Sequence, residues 1–521
     1  MFAFKDHMLK ISLIFILFTT VLLSFYSIWN YHSSLLHHDF REGEHHFFHD
    51  RNQVPTSKGS FSEHIFREKP VPPLQNGQMF RGIANSDVQY APFLSVYSVL
   101  FFGLFAFTYY LLIEKNMNIQ DSNKKILLWT LLAIGLFLRI AAAPWIKGHT
   151  DVNLFKHWAI SATKGFSQFY RNSSSDYPPF YIYILFVIGK IASIPAMSCY
   201  VTLLIKLPSM LADIITAYII YRLAVTYLSG EMSLWLSAFY IFNPAVFMNS
   251  TVWGQVDSFF TLLIVLAIFL LTEKKVNAST ALFTAAVLMK PQGIIFLPVL
   301  FFELVRLKSI KRFFTAAVTS FVTALIILFP FSLKQDPLWI FTLFSSTIGE
   351  YPYASVNAFN FYSLLGANYV PNTSTLFLFS YHTWGMIFIV IITAFSWFIY
   401  IKGRNTKFAA LAALLQIAGV FTFSVSMHER YLFPAASLSI LAFIYRKDKR
   451  LLWLSAGFSA TTFINTYSVF YDRFMFHRSM GAPYNFTLIF TSLLNVIFFI
   501  YLVKVAWDIA IRSKTLTFKP S

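Results

Sequence analysis

Charge is what this sequence has least of. Asp, Glu, Lys and Arg make up 12% of its 521 residues while 57% are hydrophobic, whereas a soluble globular domain carries about 25% charged residues. Such a chain cannot cover itself with polar surface, which excludes a water-soluble fold. Cysteine is nearly absent as well. Cys199 stands alone, so no intrachain disulfide and no cysteine-rich metal cluster can form. No Walker A loop, dinucleotide-binding glycine fingerprint or His-Glu-x-x-His element occurs, and no soluble domain for nucleotide sugars is visible. No period of 20 to 50 residues recurs, which argues against a solenoid and against a duplicated transporter architecture.

What the chain does have is apolar runs of about 18 residues or more, separated by short charged loops. That is the length a helix needs to cross a bilayer core of about 30 Å. The fold class is therefore an all-α polytopic membrane protein with the lipid bilayer as its solvent. The net charge of +18 would suggest nucleic acid in a soluble protein. Here it falls in the short loops, the positive-inside pattern, so no nucleic acid is implied. The first run, Ile11 to Trp29, is long for a signal peptide, and Leu23-Ser24-Phe25-Tyr26 offers no small-residue cleavage site, so it reads as a signal anchor. Residues 31–89, with Pro70, Pro72 and Pro73, read as an irregular external loop. Its histidines His37, His38, His45, His46 and His49 match no tetrahedral metal spacing and receive no role.

Taking Lys115, Lys124 and Lys125 as cytoplasmic puts 31–89 and 147–178 on the outer side, with Asp151. The later basic clusters around Lys274, Arg306 to Arg312, Lys402 to Lys407, Arg446 to Arg450 and Arg512 to Lys519 also read as cytoplasmic. Loops 332–378, the stretch around His428, and 470–484 then lie outside, and both termini inside. Two places break this count. Between Thr280 and Val305 there is room for only two half-helices, with Lys290, Pro291 and Gln292 at their apex. Asp151 and Asp257 share a face only if one of the stretches between them is partial, and 179–197 is the candidate.

Polar residues beside apolar segments mark functional cavities or snorkelling ends. Four clusters qualify. His149-Thr150-Asp151, with Trp158 and Asp176-Tyr177-Pro178-Pro179, offers a carboxylate able to act as a general base; an ordinary solvated acid is the competing reading. Asn243-Pro244 with Trp253-Gly254-Gln255-Val256-Asp257 supplies an aromatic face and hydrogen-bonding groups suited to a sugar, against a simple interfacial helix start. Lys290-Pro291-Gln292 places a cation where half-helix N–H groups meet an anion. His428-Glu429-Arg430 offers a phosphate contact and a proton-handling ring, against an internal Glu429–Arg430 pair. Arg139 either contacts phosphate or snorkels, and Lys206 is of the same rank.

In order, the four clusters resemble the GT-C superfamily over roughly residues 125–470. The resemblance is to bacterial relatives of the GPI-anchor mannosyltransferases and to the endoplasmic-reticulum glucosyltransferases that use dolichyl-phosphate glucose. It implies a GT-C fold of about 11–13 transmembrane or half-membrane helices with a large first external loop. The chain then divides into an N-terminal helical hairpin with external loop 31–89 (1–120), a catalytic module (121–331) and a C-terminal transmembrane region (332–521). The implied activity is inverting transfer of a hexose, mannose by resemblance, from a polyprenyl-phosphate donor to a glycan, lipid-linked or protein acceptor. Asp151 is the implied base and His428 its catalytic partner. Trp158, Tyr177, Trp253, Gln255, Asp257, Lys290, Gln292, Glu429, Arg430 and Arg139 are the expected substrate-binding residues. No cofactor or metal is required, although a divalent cation shared by Asp151 and Asp257 stays open. The second cluster matches the bacterial branch better, which favours a bacterial plasma membrane over the endoplasmic reticulum, with the site on the extracytoplasmic face. The rival function is a non-enzymatic transporter or flippase of a lipid-linked or small anionic substrate.

Overall fold

In the computed structural model, residues 2–47, 88–114, 121–471 and 485–512 are described. His49, most of the predicted 31–89 loop with its prolines, Lys115, the 472–484 loop and the basic tail beyond Arg512 lie outside these residues. Among the described residues, eight helices are long and apolar enough to cross a membrane, and five shorter apolar helices of 10–17 residues accompany them. The chain is an all-α, multi-pass membrane protein.

The first helix, Phe2–Phe47, runs well past the predicted start of the loop at residue 31. Its Ser24 and Ser27 hydroxyls donate to Phe137 O and Ala141 O at 2.7 and 2.6 Å, fastening it to the helix Asp121–Ala142. The next helix, Ala91–Glu114, packs instead through Phe101 and Phe105 on Phe239 and Trp235. The two N-terminal helices thus dock on different parts of the following bundle rather than mainly on each other. In a bilayer, helix association relies on this kind of packing and interhelical hydrogen bonding.

After Asp121–Ala142 the chain leaves the bundle and forms an amphipathic helix, Asp151–Thr163. It buries Val152, Phe155, Trp158, Ala159 and Ala162 along one face. It packs on Pro179–Ala192, the stretch expected to be partial. Fourteen residues at 1.5 Å each reach about 21 Å, short of a full crossing. Pro178 and Pro179 have no N–H to give, so Phe180 supplies the first donor of this helix, and it bonds Leu288 O at 2.9 Å. That carbonyl ends Val276–Val287, the first of two short helices. A tight 3₁₀ turn, Pro291–Phe296, leads into the second, Leu297–Leu307. Lys290, Pro291 and Gln292 sit at the turn, as the shortage of apolar residues there required.

The stretch 233–252 is also broken. Gly230–Ile241 ends at Asn243, whose side chain caps Ala245 N at 3.0 Å and reaches Ser459 Oγ at 2.8 Å. A short helix and one π-helical turn, Met248–Trp253, follow before Asp257–Thr272 begins. Three helices then run away from one region, and a fourth runs into it. Asp257–Thr272 leads to Lys274, Leu297–Leu307 to Arg306 and Pro434–Arg446 to Arg446, while Asp121–Ala142 starts near Lys124 and leads towards Asp151. The acidic and motif residues gather at one end of these helices and the basic clusters at the other. Residues 350–380 form a compact loop held by Ala354 N to Val370 O (2.8 Å) and Tyr369 N to Ser355 O (2.9 Å), and Val356 N anchors it to Met427 O at 2.9 Å.

Candidate active site

The π turn and the first loop are built around one lysine. Lys206, fully buried on the helix Val201–Ala224, donates to Ile146 O at 2.6 Å, Thr251 O at 2.7 Å and Ala143 O at 3.3 Å. These carbonyls lie past or near helix ends, where backbone acceptors lack helical partners. His149 N completes the junction on Trp253 O at 3.1 Å. Gly254 (φ 81°) and Gly148 (φ 87°) occupy left-handed conformations there, and a Cβ on either would come within 2.8 Å of Val152 Cγ2. The junction fixes Asp151 and Gln255 face to face.

Asp151 begins its helix half-buried. Its Oδ1 lies 3.0 Å from His149 Nδ1, and its Oδ2 accepts from Gln255 Nε2 and lies 3.8 Å from Arg430 Nη2. Burial opposes ionisation, but His149 and Arg430 outweigh it and hold the Asp151 carboxyl well below the usual carboxylate range. Asp257, at the start of its helix, binds Lys290 Nζ through Oδ1. Through Oδ2 it accepts from Asn249 Nδ2 at 3.0 Å and faces Arg430 Nε at 3.6 Å. Arg430 therefore bridges the two carboxylates, and its Nη1 also pairs with Glu429 Oε1 at 2.6 Å. Lys290 Nζ lies 4.8 Å from the centre of the Tyr431 ring, and Gln292 Nε2 donates to Tyr431 O at 2.9 Å. Trp253 lies under the Arg430 guanidinium and beside the His149 ring. Asp151, Tyr177, Trp253, Gln255, Asp257, Lys290, Gln292, Glu429 and Arg430 are thus drawn into one neighbourhood, together with His428. The His428 ring packs on Tyr351 and Tyr431. Burial, and then the cations Arg430 and Lys290, keep it neutral, so it can donate one N–H to an anion without carrying charge.

Two expected binding residues are elsewhere. Trp158 is 3% exposed, its ring packed on Phe155 and Tyr177 in the core; an indole on the apolar face of an amphipathic helix is more useful there than at a cleft. Arg139 is 1% exposed and does not reach the cluster. It pairs with Asp213 at 3.2 Å and donates to Ile241 O at 2.7 Å and Gly135 O at 3.0 Å. A guanidinium at this depth must find an anion and carbonyls, and it finds them between helices. Asn249, Asp213 and Tyr351 carry no sequence pattern of their own, whereas the ammonium of Lys206 in the middle of an apolar run is a signal visible in the sequence.

The centre is also polar beyond its own needs. Arg430 Nε, Trp253 Nε1, Gln255 Oε1, Gln292 Oε1 and Asn249 Oδ1 are buried without hydrogen-bond partners. Buried polar atoms are normally paired, so this set of donors and acceptors suits a polyhydroxylated ligand. Both oxygens of Asp257 are already held by Lys290, Asn249 and Arg430, which leaves them poorly placed to share a cation with Asp151. Among the described residues, no group of three or more His, Cys, Asp or Glu side chains could hold a metal ion.

Residues 128–306 match the family model of the MptA_B family, described as "Alpha-(1->6)-mannopyranosyltransferase, N-terminal domain". This is a GT-C-type mannosyltransferase family. The chain is a glycosyltransferase. The match covers about a third of the glycosyltransferase, including Asp151, Trp253 to Asp257 and Lys290; His428, Glu429 and Arg430 lie beyond it and join through the fold. It supports mannosyl transfer, and it sets aside the transporter reading because the family is enzymatic. No curated protein matches the chain.

Proposed function

We propose that this glycosyltransferase moves mannose from a polyprenyl-phosphate donor to a hydroxyl of a glycan, lipid-linked or protein acceptor, with inversion, on the extracytoplasmic face of a bacterial plasma membrane. The observation that carries the reading is the set of five buried polar atoms without hydrogen-bond partners around the Asp151–Arg430–Asp257 bridge. Sugar hydroxyls can both donate to the free amide oxygens and accept from the free N–H groups. Asp151 takes the acceptor proton as the acceptor oxygen attacks the anomeric carbon in line, while Arg430, Lys290 and the neutral His428 N–H stabilise the departing phosphate. Glu429 holds Arg430, and Gln292 holds the Tyr431 backbone over Lys290.

A lipid donor is favoured by the surface next to the Lys290 turn. Immediately after Gln292 and Gly293, an apolar groove of about 620 Å³ opens between the 3₁₀ turn, the helix Leu297–Leu307 and the helix Tyr381–Gly403. Ile294, Leu297, Phe301, Val390 and Trp397 line it. This groove, whose first lining residue follows Lys290 by four positions, suits a branched hydrocarbon chain. The outer placement rests on the basic clusters lying at the opposite helix ends.

The test is transfer from a panel of radiolabelled polyprenyl-phosphate hexoses by the purified full-length chain, with membrane extract as acceptor source. Consumption of the mannosyl donor by wild type and its loss in a folded Asp151→Asn variant support the assignment. Transfer by Asp151→Asn at the wild-type rate removes the base, and use of only a water-soluble nucleotide sugar removes the lipid donor.

A further inference from the structure

Among the described residues, two short strands pair into a hairpin, with Thr375–Leu376 antiparallel to Phe379–Ser380. Its two-residue tip, Phe377-Leu378, carries the most exposed large apolar side chains of the loop 350–380, at 87% and 84%. Phe377 holds φ 55°, a left-handed conformation that tight hairpin turns give to glycine, asparagine or aspartate. A phenylalanine in that conformation is uncommon and strains the backbone. In water its ring would also stay uncovered, so the tip calls for an apolar partner.

The hairpin is fastened to the start of a spanning helix. Trp384 Nε1 donates to Leu376 O at 2.9 Å, and the Trp384 ring meets that of Phe379 edge-on at 5.3 Å. Tyr381 N donates to Ser374 O at 3.0 Å and His382 N to Asn372 O at 2.9 Å, while Ser380 Oγ accepts from Thr383 N at 3.2 Å. The helix, Tyr381–Gly403, has 23 residues and reaches about 34 Å at 1.5 Å each, slightly more than a bilayer core of about 30 Å. Its first turn therefore lies at the membrane–water boundary, where tryptophan and tyrosine rings gather. The hydrogen bonds hold the tip at that level, on the cleft side and opposite Lys402. Ile391, seven residues after Trp384 and so on the same helix face, is exposed, which continues the lipid-facing surface from the hairpin into the span. Charge points the same way. Between Glu350 and Lys402 the sequence has no Asp, Glu, Lys or Arg, although strand edges that meet water are usually guarded by charged residues.

We propose that the Phe377-Leu378 tip inserts into the bilayer leaflet on the cleft side, with lipid acyl chains as its partner. Insertion buries the two side chains that water would leave uncovered and gives the loop 350–380 a membrane attachment of its own. The same loop packs the Tyr351 ring edge-on against His428 and binds Met427 O through Val356 N. The attachment therefore fixes one end of a loop whose other end rests on the fourth polar cluster. It depends neither on the identity of the donor nor on Asp151 as base.

Cys199 is the chain's single cysteine, so a Cys199→Ser background accepts one label at a chosen place. The full-length chain with Leu378→Cys is labelled with a nitroxide and reconstituted into vesicles of phosphatidylethanolamine and phosphatidylglycerol. Electron spin resonance then compares collisions with oxygen, which concentrates in hydrocarbon, and with a water-soluble nickel chelate. Insertion gives an oxygen-to-nickel collision ratio several-fold above that of the same label at Arg404→Cys, in an exposed basic loop. A ratio equal to that at Arg404→Cys puts the tip in water. Shielding from both reagents puts it against protein, such as a second copy of this chain. Either result overturns the proposal. Phe377→Cys supplies the same reading if Leu378→Cys does not fold.

Discussion

Lys206→Met tests whether a residue that touches no proposed substrate nevertheless governs transfer. The ammonium holds Ile146 O and Thr251 O at 2.6 and 2.7 Å and Ala143 O at 3.3 Å. Hydrogen bonds to a charged group contribute about 1.5–3 kcal/mol each, and a buried carbonyl left unpaired costs about 1–3 kcal/mol. Relief from burying the charge offsets part of this, leaving a net loss of about 3 kcal/mol. At about 2.1 cal/mol/K per residue, the unfolding entropy of a chain this long is about 1.1 kcal/mol/K, so Tm falls by about 3 °C. Helices that stay formed in micelles reduce that entropy and enlarge the shift. The larger effect is on geometry. Without the ammonium, the Gly148 and Gly254 segments lose their common anchor, and a misplacement of about 1 Å between Asp151 and Gln255 lowers transfer about 100-fold. The assay pairs thermal melting of the detergent-purified protein with donor turnover. A Lys206→Met protein that melts and transfers as wild type does would show that the junction does not depend on this side chain.

Other perturbations give equally direct readings. Gly254→Ala forces a Cβ to 2.7 Å from Val152 Cγ2 at φ 81° and should cost about 1–3 kcal/mol together with most of the transfer activity; Gly103→Ala, where a Cβ meets open space, should leave both unchanged. Arg139→Met strands the Asp213 carboxylate and should destabilise by about 3–5 kcal/mol. Adding Asp213→Asn should recover much of that loss with the donor KM unaltered, whereas a tenfold rise in KM for the folded double variant would return Arg139 to the substrate site. Treatment with EDTA should leave transfer at the untreated rate because Lys290, Asn249 and Arg430 already occupy Asp257; loss of activity that magnesium restores would refute this.

Much of the architecture was legible because a bilayer imposes simple rules. Scarce charge, apolar run lengths and basic loops announced a polytopic helical protein. Too few apolar residues around Lys290 announced the two short helices on either side of it. Helix ends within the polar stretches were harder to see. The first helix continues to Phe47 although its polar second half resembles a loop, because Pro is absent from that half and polar residues do not by themselves break a helix. Trp158 and Arg139 were misplaced for a common reason. Residue type shows that an indole or a guanidinium needs partners, but the core face of Asp151–Thr163 and the carboxylate of Asp213 become visible only when helices distant in sequence are packed together.

By itself, the sequence determined the solvent, the helical class, the break near Lys290, and the order of the four polar clusters. These depend on local composition and spacing, which act along the chain. The tertiary structure decided which charges neutralise one another: Arg430 between Asp151 and Asp257, Lys290 on Asp257, and Arg139 on Asp213. It also set Lys206 at the junction of two loops. The physical reason is that a buried charge is tolerated only with a partner within a few ångströms, and here those partners are brought together by helices far apart in the chain.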